Sequence, residues 1–447
     1  MFRRFSPRFI MLTSFFLAPI LLPTPGKGAV APVGQLPAVS VSVTPSIYAL
    51  PILLVEELGE WKDFGIQISL RVHASGEEQI DRIAASEWEV AVMDPFYAVK
   101  GGNEGDVAIV GLAGNLVNQF YILFRKGILP PPLRKLGDWL KGKKVLCPVP
   151  STEHFFLSTL LARQSTEPQP LVTSKEKEEK PGQAFLAGKG DLAVLRSPQA
   201  LGAIRQGFPF LAGTWKGEIF FPAFLVATSN YADTRKTLVI RWLEGYSRGI
   251  RLIQENPSKA ATRLGEFYRE VRELGVSPRL LDREIQEAFY FDEKEREEPF
   301  RRLGGKASSV EGFAKSMAQY QSQMKIQGDR KDPAEYILAQ ICDQVVALRG
   351  EAESQLKKTR AAIEGAEREG AQAKDFRRTW EEARVQMEEG RGCLTAIGVL
   401  SDLQRSAEQA RVATQRLREF RRIEIGIGGV LVLYYVGYAI RRKRGNY

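Results

Sequence analysis

One pattern occurs twice in this chain, 102 positions apart, and it confines the fold to a pair of α/β lobes. Ser86-Glu87-Trp88-Glu89-Val90-Ala91-Val92-Met93-Asp94-Pro95 and Gly188-Lys189-Gly190-Asp191-Leu192-Ala193-Val194-Leu195-Arg196-Ser197-Pro198 each read as a helix end, a short buried strand and a polar proline turn at the strand's carboxyl edge. Two lobes whose loops lie in matching places make a cleft between them. Clefts at strand carboxyl ends take small molecules.

The segments around each copy fit this reading. Val41-Ser42-Val43 is a strand entering the turn Thr44-Pro45-Ser46, and an apolar helix runs from Tyr48 to Glu57. Gln67 to Val72 alternates as a strand, Gly76 to Ser86 is helical, and Val107 to Val110 is a further strand. This βαβα order predicts parallel sheets covered on both faces. Phe120 to Phe124 reads as the strand that leaves the first lobe, and Pro130-Pro131-Pro132 marks a crossing to a second α/β set. Phe224 to Ala227 returns as a strand, followed by helices to about Phe300. The expected two-lobed domain is 38–302, with lobe 1 at 38–125 and 223–302 and lobe 2 at 133–222. A chain that leaves a lobe and comes back crosses twice, which suits a hinge.

The ends carry a different signal. Arg3, Arg4 and Arg8 precede an apolar run from Phe9 to Leu22, and Ala29-Val30-Ala31 supplies small residues for cleavage, so 1–31 reads as a secretory signal peptide. Near the other end Ile425 to Ile440 is uncharged and is followed by Arg441-Arg442-Lys443-Arg444. The expectation is a transmembrane helix at 423–440 with a basic cytoplasmic tail at 441–447. That would place the protein in the cell membrane as a single-pass protein, its binding domain on the periplasmic or extracellular side.

Between the lobes and this segment, Gly304-Gly305 and Gly328-Asp329-Arg330 bracket an expected linker at 303–332. From 333 to 422 Ala, Glu, Gln, Arg and Leu dominate. Ile341, Val345, Leu348, Ala352 and Leu356 recur three or four apart, as do Leu403, Ala407, Ala410, Thr414 and Leu417. This predicts an all-α stalk of long helices, in a coiled-coil-like association or a hairpin, through which chains could self-associate. Cys342 and Cys393 lie there and could pair between chains in an oxidising compartment.

The formal charge of +10 does not signal nucleic acid, because Lys and Arg alternate with Asp and Glu, as in Lys175-Glu176-Lys177-Glu178-Glu179-Lys180. With two histidines, His73 and His154, and three cysteines, no metal-ligand spacing arises and no cofactor is implied. No Gly-rich phosphate loop, Gly-x-Ser-x-Gly or His-Glu-x-x-His motif occurs, so the chain does not read as an enzyme.

Four expected helix starts face the cleft: Ser46-Ile47-Tyr48, Ser75-Gly76, Asp94-Pro95-Phe96 and Ser151-Thr152. Free N–H groups and the positive dipole end hold anions there, although Ser and Thr are also ordinary helix caps.

These residues resemble a known group. Pro45-Ser46-Ile47-Tyr48-Ala49 with Glu56-Glu57-Leu58-Gly59-Glu60-Trp61-Lys62-Asp63-Phe64-Gly65-Ile66 is similar to the opening of ABC-type solute-binding proteins of the nitrate, sulfonate, taurine and thiamine-precursor group. Ala74-Ser75-Gly76, Leu140 to Val145, Pro150 to Leu157, Ala187 to Asp191 and Glu255 to Ala261 resemble later motifs of that group in the same order. The resemblance spans about Val41 to Phe300. It implies a type II periplasmic-binding fold that closes over a small anionic or zwitterionic solute and hands it to an ABC permease. Carried over by position, Ser46, Tyr48, Ser75, Gly76 and Asp94 would line the first lobe, and Ser151 and Thr152 the second. Asn118 is a further polar contact by inference rather than by motif. Arg196 stands where the group often has a Trp-Glu-Pro run; it could grip an anion in bidentate fashion or pair with a nearby carboxylate. Asp94 opposes a purely anionic ligand. The alternative to uptake is a ligand sensor or scaffold in which the helical stalk contacts a partner.

Overall fold

The computed structural model describes residues 36–164, 172–173, 181–212, 219–272, 274–291, 295, 297–326 and 331–444. The expected signal peptide lies outside the described residues.

The chain first builds β1 (Ala38–Val43), α1 (Leu50–Glu57), β2 (Gln67–Val72), α2 (Gly76–Asp81), β3 (Val90–Met93), α3 (Pro95–Glu104) and β4 (Val107–Asn115). It then crosses to a second lobe of β5 (Phe120–Phe124), α4 (Leu136–Trp139), β6 (Lys144–Leu146), α5 (Thr152–Gln164), β7 (Val172–Thr173), α6 (Pro181–Leu186), β8 (Leu192–Arg196), α7 (Gln199–Arg205) and β9 (Phe210–Leu211). The return adds β10 (Pro222–Thr228), α8 (Ser229–Thr234), α9 (Lys236–Glu255), α10 (Pro257–Arg272), α11 (Pro278–Glu287) and β11 (Phe289–Tyr290). Four helices follow: α12 (Ser309–Gln323), α13 (Ala339–Arg368), α14 (Lys374–Glu388) and α15 (Cys393–Arg444).

The two sheets run β11-β4-β10-β3-β1-β2 and β7-β6-β8-β5-β9. Both are mixed rather than wholly parallel. β10 pairs antiparallel with β3 and β4, and β5 pairs antiparallel with β8 and β9. The reason is the crossing: each lobe is completed by a strand entering from the other, so β5, expected to leave lobe 1, belongs to the sheet of lobe 2. The two sequence repeats become the strands β3 and β8. Each lies between a parallel neighbour, β1 or β6, and the antiparallel crossing strand, β10 or β5. Burial on both faces explains their unbroken apolar runs, since every residue of β3 is buried.

Lobe 1 is held by close helix packing. α9 crosses α1 where Gly249 meets Pro51, so tightly that a Cβ there would stand 2.2 Å from the Pro51 carbonyl oxygen. Gly245 accepts the Trp61 ring in the same way, at 2.1 Å. The buried residues of α9 include Val239, Trp242, Leu243, Tyr246 and Ile250; a fully buried side chain of this size contributes about 1.5–3 kcal/mol each.

Within the segment 303–332, α12 forms behind a capping box of Ser308 and Glu311. It touches both lobes. Gln321 Nε2 donates to the Phe96 carbonyl of α3 at 2.6 Å, and the Tyr320 hydroxyl bonds His154 Nδ1 of α5 at 2.7 Å and accepts from the Ser151 backbone N–H at 3.3 Å. Phe313 packs edge-on to Phe155, Phe220, Phe221 and Phe224.

α13, α14 and α15 form a three-helix bundle with alanines among larger apolar residues at the contacts: Ala352, Ala383, Met387, Ala396 and Leu400, then Ile363, Ala373, Leu403 and Ala407. Its base joins the core of lobe 1 through Ile341 and Leu348. Arg251 Nη2 donates to the Gly390 carbonyl at 2.6 Å, and Arg391 reaches Asp63 and Glu60 at 3.6 Å each. Cys342 is buried, its thiol donating to the Val110 carbonyl at 3.1 Å, which removes it from any pairing between chains.

The membrane expectation is corrected here. Among the described residues no helix is long and apolar enough to cross a membrane, so single-pass anchoring falls. The uncharged stretch from Ile425 to Ile440 is part of α15, a helix of 52 residues. At about 1.5 Å per residue it spans roughly 24 Å, short of a hydrocarbon core of about 30 Å. Four glycines, Gly426, Gly428, Gly429 and Gly437, further dilute it.

Candidate functional site

The loops at the carboxyl ends of β1, β3, β6 and β8 meet around a cavity of about 230 Å³ between the lobes. Lobe 1 supplies Ser46, Tyr48, Ser75, Gly76 and Asp94, and lobe 2 supplies Ser151, Thr152 and Arg196. All the residues singled out in the sequence therefore border one cleft except Asn118. Asn118 is buried outside it, with its Nδ2 donating to the Glu287 carbonyl at 2.8 Å.

Several of these groups are already engaged. The Tyr48 hydroxyl donates to the Asn115 carbonyl at 2.7 Å, so Tyr48 offers the cleft its ring. Ser75 caps α2 by accepting from the Glu78 N–H at 3.2 Å. Gly76 leaves room for Tyr97, whose ring would stand 2.3 Å from any Cβ there. The Ser151 hydroxyl donates to the Pro148 carbonyl at 2.6 Å. Ser46 precedes the first helical turn without capping it through its side chain.

The lobes are joined by charge. Asp94, which caps α3 through the Phe96 N–H at 2.9 Å, faces Arg196 Nη1 at 2.5 Å and accepts from the Thr152 hydroxyl. Arg196 Nε also donates to Glu153 at 2.7 Å. Burial disfavours the charge on Arg196, but Asp94 and Glu153 outweigh it and hold the guanidinium firmly protonated. Burial pushes the Asp94 carboxyl above its ordinary range, against the pull of Arg196. Arg196 thus takes the second role its position allowed, a partner of carboxylates.

Sequence reasoning passed over three lining residues. Gln119, 3% exposed, has its Nε2 buried without a hydrogen-bond partner among the described residues. Ser197 Oγ is buried beside Glu284 and Tyr121 and makes no well-formed hydrogen bond to either. Arg272, at the end of α10, donates from Nη2 to the Ala74 carbonyl at 2.5 Å, while its Nε is buried with no partner among the described residues. None of the three stands in a recognisable motif, although Ser197 lies within the second repeat.

Behind the floor Glu284 is 1% exposed and accepts from the Tyr268 hydroxyl at 2.8 Å. Desolvation pushes its carboxyl up to about 7, against the Tyr268 hydrogen bond that favours its charge. Among the described residues no histidine lines the cleft, and no group of three His, Cys, Asp or Glu could hold a metal ion. What the site presents is donors, acceptors and charge around a small space.

No family model and no curated protein matches the chain. Solved structures do. The periplasmic aliphatic sulphonate binding protein SsuA from Escherichia coli superposes with a TM-score of 0.54 at 16% identity, over 69% of this chain and 99% of that one. The alkanesulfonate-binding protein SsuA from Xanthomonas axonopodis pv. citri, bound to MOPS, gives 0.53 at 14% identity, over 68% and 98%. The periplasmic nitrate-binding protein NrtA from Synechocystis PCC 6803 gives 0.52 at 14% identity, over 70% and 88%. At these identities the likeness is one of fold: the lobes have the two-lobed periplasmic-binding architecture.

Proposed function

We propose that the chain is a solute-binding protein that captures a small polar molecule between its lobes and closes over it. The observation that carries this reading is Gln119 Nε2, a buried donor on the cleft wall that no group among the described residues satisfies. Leaving such a group unmade costs about 1–3 kcal/mol, which a bound solute would recover. The residues proposed to meet it are Ser46, Ser75, Gly76, Asp94, Ser151 and Thr152, with Gln119 and Ser197 added.

Closure is a hinge motion about the two crossings, β4 to β5 and β9 to β10. Opening would part Asp94 from Arg196 and Thr152, so these contacts define the closed arrangement and lend it stability. The sulphonate- and nitrate-binding neighbours support a small anionic or zwitterionic ligand and delivery to an ABC permease. A second reading, a ligand sensor or scaffold, draws on α12. This helix touches both lobes and runs on toward the bundle, so lobe movement would be felt there.

A thermal-shift screen of small anions, zwitterions and neutral polar solutes tests the reading. At least one should raise the melting temperature of the wild type and leave Gln119→Leu unmoved. A screen in which no solute shifts the wild type contradicts it. Pull-down of a permease favours uptake, and of a signalling partner the second reading.

A further inference from the structure

Four charged side chains line the cleft: Asp94, Glu153, Arg196 and Arg272. Three of them satisfy one another, since Arg196 is held by both carboxylates at 2.5 and 2.7 Å. Their sum is one negative charge, which discourages an anion from settling on that side of the cleft. Arg272 is different. Among the described residues no carboxylate pairs with it, its hydrogen-bond partner is the Ala74 carbonyl, and its Nε is buried with nothing to bond. Its pKa is lowered by desolvation alone, with no neighbouring charge opposing the effect.

Resting on the solute-binding reading above, we infer that Arg272 sets the charge preference of the cleft, recognising a single anionic group such as a carboxylate or sulfonate beside the Ala74-Ser75-Gly76 turn. Arg196 acts only as the latch between the lobes. Three features converge on the Arg272 side. A guanidinium partly stripped of water gains from an anion, because a charge-assisted bond supplies what the neutral Ala74 carbonyl cannot. The planar fork still has donors to spare after that one bond. The Ser75 hydroxyl, used as an acceptor by Glu78 N–H, keeps its own proton to give. Toward Asp94 and Glu153 the same ligand would turn an ammonium, a hydroxyl or another donor. A solute with its anion at one end and a donor at the other matches both sides.

Calorimetric titration of the full chain tests the inference with ethanesulfonate and propionate, against their neutral counterparts ethyl methyl sulfone and propionamide. The wild type should bind at least one anion about tenfold or more tightly than its neutral counterpart, the scale of a charge-assisted hydrogen bond. Arg272→Gln should abolish that preference, and Arg272→Lys, which keeps the charge, should retain part of it. Equal affinity for anion and neutral counterpart overturns the inference while leaving solute binding intact, and so does a preference that survives in Arg272→Gln. No heat from any of the four probes overturns it as well. An anion preference unaffected by Ser46→Trp, which fills the cleft mouth, places binding elsewhere and brings down the cleft reading too.

Discussion

Asp94 and Arg196 hold the same position in the two sequence repeats, each immediately after the apolar strand residues, and they meet across the cleft at 2.5 Å. The repeats thus provide the latch from opposite lobes. Each side chain stands at the end of a buried strand, the place where two facing sheets bring their edges together. The ion pair follows from that pseudo-symmetry.

Replacing Arg196 by Gln should cost about 3–5 kcal/mol near pH 8, because Asp94 and Glu153 would be left buried, at 8% and 12% exposure, without a cation. In the variant the Asp94 carboxyl, already pushed up by burial, loses the guanidinium that opposes the rise. The deficit should therefore be small near pH 4 and widen as pH rises toward that raised value. Chemical denaturation at pH 4.5 and pH 8 checks this; a deficit equal at both would speak against the latch.

The carboxyl of Glu284, pushed up to about 7 by burial, has an ordinary unfolded value near 4.3. Its protonated form suits the fold, so its cost is absent below about pH 4, grows as pH rises from there to about 7 and is fully developed above that. At pH 8.5 it amounts to about 4 kcal/mol, taking roughly 1.4 kcal/mol per pKa unit. Glu284→Gln should stabilise the protein by that order at pH 8.5 and leave it nearly unchanged at pH 4. Melting curves at the two values decide it.

Tyr320→Phe keeps the ring against Phe96 and Phe155 but removes the hydroxyl that joins α12 to His154 and Ser151. A loss of about 1–3 kcal/mol is expected, since His154 Nδ1 is left buried without its partner. Hydrogen exchange should quicken at the Ser151 and His154 amides. Unchanged protection there would mean that α12 does not brace lobe 2.

Two glycine replacements should move stability in opposite directions. Gly249→Ala would force α9 off the Pro51 backbone and should cost at least about 1–3 kcal/mol. Gly312→Ala, exposed within α12 with nothing within 4 Å of the new methyl, should gain up to about 1 kcal/mol from helix propensity. Paired thermal melts of the two variants test the packing described for α9 and α12.

Much of this was legible before the structure, for reasons that differ by element. The repeats were readable because strands buried on both faces demand unbroken apolar runs, and Val90 to Met93 and Leu192 to Leu195 supply them. The polar loops after them were readable because Ser, Asp and Pro punctuate strand ends. The antiparallel entry of β5 and β10 was not, since periodicity fixes which face a strand buries and says nothing of its direction. Helix α12 was obscured by Gly304-Gly305 and Gly328 on either side, although Val310, Phe313, Ala314 and Met317 keep a helical spacing. Arg272 could not be found at all. An arginine in the last turn of an amphipathic helix looks like any surface cation, and its approach to Ala74 spans 198 positions. At the carboxyl end, an uncharged run and a basic stop resembled a membrane anchor where the apolar length is too short for one.

Native mass spectrometry of the full chain, sprayed from a volatile buffer without prior unfolding, tests the central claim most directly. The account predicts a single small solute retained per chain in the wild type and its loss in Ser46→Trp, where the cleft is filled. A bare wild-type mass, or an adduct that persists in Ser46→Trp, would contradict it.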